Sequence, residues 1–335
     1  MRSVLDSLPA DERQLLRRSS QPRRFEPMKA TLSKEPFDDE SWIFERKLDG
    51  VRCLAYRDGK QVRLLSRTGR ELGRSYPELG EAIGAEDCSD FVVDGEIVAF
   101  EGRVTSFSKL QRRMQLTSPE AARRTGVEVF LYVFDVVHLA GHDTRELPLR
   151  SRKALLRRAL SFNGPVRYLT HRNAAGKESF RDACAGGLEG IIGKRADSRY
   201  RSARSRDWLK FKCIAEQELV IGGFTAPKGS RTDFGAVLVG YYDDGKLRYA
   251  GKVGTGFDRH TLRDLGSRLR ELERPESPFD DEVKPRPAGV HWARPELVAQ
   301  IAFGEWTRDG RLRQPRYLGL REDKPARQVV RERPS

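Results

Sequence analysis

SWIFERKLDGVRCLAYRDGKQVRLLS, residues 41–66, decides how the rest of the chain is read. From Trp42 onward apolar and polar residues alternate, as they do where successive side chains leave opposite faces of a strand. Asp49-Gly50 interrupts the run, VRCLAY resumes it, and RDGK reads as a hairpin turn into QVRLLS. Strands joined this closely point to an antiparallel α+β fold rather than to alternating strand–helix units. Lys47 stands just before the first turn, flanked by Glu45, Asp49 and Arg52. An exposed strand-end lysine is the ordinary explanation for such a residue, and this fragment alone does not displace it.

Working outward, FVVDGEIVAF (91–100) repeats the strand–Asp-Gly–strand pattern, and VFLYVFDVVHL (129–139) reads as a buried strand. FSKLQRRMQ (107–115) and LRSRKALLRRAL (149–160) have apolar residues at helical spacing and basic outer faces. The composition changes after WLKFKC (208–213). Beyond it, ELVIGGFTAPKGS starts a second set of short strands, and GAVLVGYYDDGKLRYAGKV is a hairpin about Asp244-Gly245. A helix follows with Leu262, Leu265, Leu269 and Leu272 on one face and Asp258 as its cap. ELVAQIAFGEWT and LRQPRYLGL are late strands around Asp309-Gly310. Short strands with one inserted helix fit a small barrel of the oligonucleotide-binding (OB) type. The expected organisation is a loosely held basic arm over 1–24, an α+β domain over 25–215 and an OB-fold β-barrel domain over 216–335.

The 335 residues include 63 Lys and Arg against 49 Asp and Glu, a formal net charge of +14. Such an excess points to a polyanionic partner, nucleic acid above all. Cys53, Cys88, Cys184 and Cys213 stand far apart without a Cys-x-x-Cys pair. That argues against a zinc site and a disulfide framework, and for a reduced protein. The first twenty residues lack the apolar core of a signal peptide, and VEVFLYVFDVVHLA is too short and too charged to span a bilayer. The expectation is a cytoplasmic, nucleoid-associated protein with no membrane partner.

Lys47 acquires meaning from the rest of the chain. A neutral amine is a nucleophile, and neighbouring cations or desolvation favour its neutral form. SRTGR (66–70) puts two arginines beside a glycine turn, suited to phosphate. VVDGEIVAF supplies Glu96 just past a turn, and GLEGIIGKR supplies Glu189 before a glycine. In DWLKFKC, Lys210 and Lys212 leave one face of a strand and Leu209 and Phe211 the other. Each fragment has a bland reading; their occurrence together in this order is not ordinary.

KLDGVR, SRTGR, VVDGEIVAF, YVFDVVHL, EGIIGKR and WLKFKC, in that order, resemble the motifs of the covalent nucleotidyltransferases: DNA ligases, RNA ligases and mRNA capping enzymes. The closing RPELVAQIAFGEWTRDGRLRQPRYLGLREDK is similar to the end of bacterial ATP-dependent DNA ligases. It looks most like the ligase module of the ligase D type used in non-homologous end joining, as does FEPMKATLSKEPFDDESWIFERKLDGVR. The match runs from about residue 25 to 325.

That resemblance implies a nucleotidyltransferase (ATP-grasp-like) domain and a three-step reaction. ATP adenylates Lys47, AMP passes to a 5′-phosphate at a nick, and a 3′-hydroxyl displaces AMP. It implies that Glu45 contacts the adenine amino group and that Phe134 stacks on the ring. Arg52 and Arg67 would hold ribose or phosphates and later the DNA 5′-phosphate. Glu96 and Glu189 would serve the ribose and a Mg²⁺ or Mn²⁺ ion, and Lys210 and Lys212 the α-phosphate. Arg321, Asp323 and Lys324, in REDK, would orient the departing pyrophosphate. The implied partner is nicked or broken duplex DNA, met by a monomer, with a Ku-type end-binding protein and separate polymerase and nuclease chains as candidates beside it. An RNA ligase and a GTP-dependent capping enzyme share the Lys47 chemistry, but the closing stretch favours DNA ligase. NAD-dependent ligases carry a cysteine cluster that is absent here. A non-enzymatic DNA-binding barrel would leave Lys47, Glu189, Lys210 and Lys212 unexplained.

Overall fold

The computed structural model describes residues 4–332, apart from 115, 228–232, 285–286 and 308. The chain divides into two compact units between Cys213 and Ile214. In the first unit the Asp49-Gly50 turn does not fold a hairpin. It carries the chain from one sheet to another. Asp39–Lys47 lies in a five-stranded sheet between His171–Ala174 and Gly190–Arg195, with Arg204–Lys212 and Lys29–Leu32 beyond. Val51–Asp58 lies in a seven-stranded sheet, between Asp90–Val98 and Gln61–Ser66. RDGK does make the expected hairpin, with Asp58 opposite Gln61.

FVVDGEIVAF departs from expectation. Asp90–Val98 is one unbroken strand, and Asp94-Gly95 marks a register shift against Phe130–Leu139 rather than a turn. The reason lies in what the two residues touch. Asp94 is fully buried and accepts hydrogen bonds from Arg52 Nη2 and Tyr200 Oη, both at 2.6 Å. Gly95 runs so close to the neighbouring strand that a Cβ would lie 2.6 Å from the Tyr132 carbonyl oxygen. Here the glycine permits close approach, which is its other common use in strands. Glu96 is therefore a mid-strand residue, paired with Arg52 on one side and Tyr132 on the other.

The helices also carry less basic surface than their sequences suggest. In Leu149–Ala159, Arg152 and Lys153 are buried beside Leu149 and Leu156, the helical spacing that makes one face. Arg152 donates to both oxygens of the equally buried Asp135, at 2.7 and 2.9 Å, and to the Leu147 and Ser198 carbonyls. Buried charge is tolerated because every edge of the guanidinium is matched. Arg113, in Phe107–Met114, is likewise buried and bonded to the Ser75 and Val127 carbonyls.

Residues 4–24 are not loosely held. Leu5 and Leu8 are buried in the core of the first unit, and Val4–Ser7 packs on the helix Leu149–Ala159. Arg17–Arg18 adds an edge strand against His142–Asp143, and Gln21 donates to Asp90 Oδ1 at 2.7 Å. A few leucines among many charges anchor the segment.

The cysteine reading is overturned at one pair. Cys184 and Cys213 are joined by a disulfide, with Cα atoms 5.3 Å apart; Cys53 and Cys88 are free. Pairing of Gly190 with Lys212 brings the flanking residues together, and the Cys213 amide donates to the Glu189 carbonyl at 3.0 Å. The helix Gly176–Ala185 ends beside that point. Proximity created by strand pairing leaves no trace in cysteine spacing.

In the second unit Glu216–Thr225 is the pivot. Its first half pairs with Val298–Ala302, which continues to Arg316–Leu320. Its second half pairs with Val237–Asp243 and Val290–Ala293. Asp258 caps the helix Arg259–Glu271, accepting from the Thr261 amide at 2.7 Å, and Leu262, Leu265 and Leu269 enter the core. The expected barrel is an open OB-type sheet: among the described residues it does not close. No helix among them is long and apolar enough to cross a membrane.

Candidate active site

The site is laid out by the register of three strands. Lys47 is opposite Gly190, and Gly190 is opposite Lys212. One step along, Glu45 is opposite Ile192 and Ile192 opposite Lys210; a further step sets Lys194 between Ile43 and Trp208. Directly paired residues share a face, as do residues two apart. Glu45, Lys47, Lys194, Lys210 and Lys212 therefore leave the same side of the sheet. The opposite side, with Phe44, Ile191 and Phe211, is packed into a core. Alternation alone thus divides the chemistry from the packing.

Gly190 opens the middle of this row. Its φ is +147° and a Cβ would overlap the Phe211 carbonyl oxygen, so the backbone excludes any larger residue. Between the Lys47 and Lys212 positions there is consequently no side chain. Lys47 Nζ pairs with the carboxylate of Glu189, the residue just before the glycine. The immediate partner of the candidate nucleophile is thus an anion, one that the resemblance had assigned to the ribose and a metal ion.

Beneath lies a second charged group. Glu45 is buried and pairs with Lys153 at 2.5 Å and Lys194 at 2.6 Å. Burial pushes its carboxyl up, but the two ammonium groups outweigh that and hold it below the usual range. Burial draws Lys194 down to about 8, against the pull of Glu45. Lys194 Nζ sits 4.2 Å from the Phe134 ring centre and 4.0 Å from that of Trp208. The rings meet edge to face at 6.2 Å. A cation between two aromatic faces is favourable where water is scarce. His171, opposite Glu45 on the other flank, is drawn to about 4 by burial.

Arg52 lies over the Phe134 ring at 4.7 Å and grips Asp94 with Nε and Nη2, while Nη2 also reaches the Met28 carbonyl at 3.0 Å. Burial works against its charge, yet Asp94 holds its pKa above the usual arginine value. Arg67 stands half-buried in the turn after Gln61–Ser66, and Glu96 is half-buried on the strand beside Arg52. In the second unit Arg321 donates to Asp323 at 3.0 and 3.1 Å, and Lys324 pairs with Glu218.

The first unit thus brings Lys47, Lys210 and Lys212 to one face of the sheet with Glu189 paired to Lys47, and holds Glu45 and Phe134 alongside through Lys194. Sequence reading missed Lys153, Lys194, Trp208 and Asp94. Two of these were within reach. Lys194 continues the alternation from Gly190 and Ile192, and Lys153 falls on the apolar face of its helix. Asp94 was hidden by its resemblance to a turn.

Comparison with known proteins bears on the family of the chain. Residues 23–212 match the ATP dependent DNA ligase domain, and residues 230–324 match the ATP dependent DNA ligase C terminal region. The chain is 38% identical over 322 residues to the multifunctional non-homologous end joining protein LigD of Pseudomonas aeruginosa, covering 94% of this chain and 37% of that protein. It is 39% identical over 300 residues to the LigD end joining DNA repair protein of Mycobacterium tuberculosis, covering 87% and 37%. The chain therefore spans little more than a third of these relatives. A structure of mycobacterial DNA ligase D complexed with ATP and MES superposes with a TM-score of 0.66 at 35% identity, covering 92% of this chain and 98% of that one. By its fold, its ordered motifs and these matches, the chain belongs to the ATP-dependent DNA ligase family.

Proposed function

We propose that this chain seals nicks between a 3′-hydroxyl and a 5′-phosphate in duplex DNA through an adenylate carried on Lys47, and that it serves DNA repair by end joining. The observation that supports this most is the register row of Lys47, Gly190 and Lys212 with Glu189 at its edge. It offers an amine, a gap free of side chain, a second amine and a carboxylate. Reactions at phosphorus ask a protein for alignment and charge compensation more than for covalent chemistry.

In the first step Lys47 Nζ would form a bond to the α-phosphorus of ATP as the bridging bond to the β-phosphate breaks and pyrophosphate leaves. Lys47 must first part from Glu189 and lose its proton. Lys210 and Lys212 would take up charge on the α-phosphate, and Arg321 and Lys324 would orient the pyrophosphate. Phe134 would bear on the adenine, while Glu45 and Lys194 would present polar groups to its edge. AMP would then pass from Lys47 to the DNA 5′-phosphate, held by Arg52 and Arg67, and the 3′-hydroxyl would displace it.

No group of three or more His, Cys, Asp or Glu side chains gathers among the described residues. Glu189 and Glu96 offer oxygen donors alone, which suits an Mg²⁺ or Mn²⁺ ion completed by water and substrate phosphate rather than zinc. Held by these two residues, it would supply charge compensation at the phosphates. The chain would act as a monomer on DNA ends presented by a Ku-type protein.

Incubation with α-labelled ATP, followed by a denaturing gel, tests the proposal. Label should come from ATP and not GTP, be lost in acid, and be absent in Lys47→Ala. Label from GTP alone would move the assignment to capping chemistry. Failure of the labelled protein to seal a DNA nick while sealing an RNA one would move it to RNA ligation.

A further inference from the structure

Residues 17–24, RRSSQPRR, contain four arginines and no carboxylate. The reaction proposed above gives them no task. They are exposed yet fixed in place, which separates them from a solvated tail. Arg24 donates to the Thr68 carbonyl within the SRTGR turn. Its guanidinium lies against Gly69, where a Cβ would come within 2.6 Å of Nε. The next arginine is tied in by its backbone: Arg63 donates to the Arg23 carbonyl at 3.3 Å while resting 4.6 Å over the Tyr56 ring. Arg70, at the end of the same turn, donates to the Met114 carbonyl. Among the described residues neither Arg23 nor Arg24 is ion-paired to a carboxylate, and Glu71 is the one acid in the stretch 63–70 and its next neighbour.

Holding this many guanidinium groups together costs mutual repulsion, which a polyanion would relieve. The turn they surround carries Arg67, the residue placed at the DNA 5′-phosphate. We propose that Arg24, docked on the 66–70 turn, and Arg23, held beside Arg63, form a track for the backbone phosphates of the strand that bears that 5′-phosphate, next to the nick. This rests on the ligase reading of the site. The track would add affinity and orientation without reading sequence, since it touches phosphate alone. Neutralising one of its arginines should flatten the dependence of log affinity on log salt by about 0.9.

The test uses nicked duplexes in which neutral methylphosphonates replace phosphates either on the 5′-phosphate strand beside the nick or on the 3′-hydroxyl strand. The whole chain and Arg23→Gln/Arg24→Gln are titrated against each across a salt series. The unsubstituted protein should lose roughly tenfold in affinity with the first duplex, and the double variant should lose little more. Its salt slope should be shallower by about 1 to 2. Equal sensitivity of both proteins to the neutral linkages, or sensitivity confined to the 3′-hydroxyl strand, overturns the proposal. If the double variant does not fold, Arg23→Gln serves, because its side chain is exposed, and half the effect is expected. Sealing by the unsubstituted protein in the same tubes separates the two claims. Sealing with no arginine effect defeats only the track; no sealing at all defeats the ligase reading.

Discussion

Lys47 and Glu189 are ion-paired where the strand Asp39–Lys47 meets the start of Gly190–Arg195. The pairing would set a condition on the proposed adenylation, because the amine assigned to attack is the one the carboxylate holds. An ion bound at Glu189 would compete for that carboxylate and release the lysine. Glu189→Ala should therefore lower nick sealing by about 100-fold, as loss of a metal-orienting group commonly does. Nick affinity should change little. Equal sealing rates in a single-turnover assay would remove Glu189 from the site.

Arg321 and Lys324 are held within their own unit by Asp323 and Glu218. If their work is confined to pyrophosphate, Arg321→Ala should slow transfer of label from ATP to the protein by about 100-fold. The same variant should seal a nick supplied already adenylated at nearly the normal rate. A parallel loss in both assays would place Arg321 in the later steps too.

Glu45 is the shared counterion of two buried ammonium groups, so removing its charge leaves Lys153 and Lys194 without their common partner. Glu45→Gln should cost about 3–5 kcal/mol of stability in urea unfolding, the usual effect of breaking a buried ion pair from one side. A loss below about 1 kcal/mol would show that the pocket admits water or sheds a proton instead.

His171 gives a pH signature. Burial lowers its pKa from 6.5 to about 4, so the folded chain binds fewer protons than the unfolded chain between those values. Stability is present above pH 6.5 and falls as the pH drops toward 4. His171→Asn should flatten that stretch of the curve by on the order of 2 kcal/mol. His138, also lowered by burial, titrates in the same direction, so the difference between variant and unsubstituted protein is the quantity to measure. Below pH 4.5 Glu45 adds its own loss, since its carboxyl is held below that value.

The Cys184–Cys213 disulfide closes a loop of 29 residues that contains Glu189, Lys210 and Lys212. Reduction should destabilise the first unit by about 3 kcal/mol, by freeing the unfolded chain. Cys184→Ser should show the same loss without reductant and no response to it. A reductant-insensitive unfolding midpoint in the unsubstituted protein would argue that the pair is not bonded in solution.

Much of the sheet that bears the site was legible in the sequence, because alternation and Asp-Gly turns report local geometry. SWIFERK and WLKFK each show which residues share a face. What alternation cannot report is which strand lies beside which. The meeting of Lys47 with Gly190, and of Cys184 with Cys213, depends on pairings between distant segments. The buried ions were obscured for another reason. Arg152, Lys153 and Asp94 look like surface residues until their partners are known, and those partners come from other strands and helices. Asp94-Gly95 shows the limit of turn chemistry: the same dipeptide that folds a hairpin at 58–59 lets two strands approach at 94–95.

Gly190 joins two duties in a single backbone atom. The hydrogen that stands where a side chain would be keeps the space between two amines open, and the same peptide fixes where the preceding carboxylate begins. Neither can be adjusted alone. Any enlargement at position 190 would disturb the gap between the Lys47 and Lys212 positions and the Glu189 carboxylate together, so the chain's geometry makes them one inherited part.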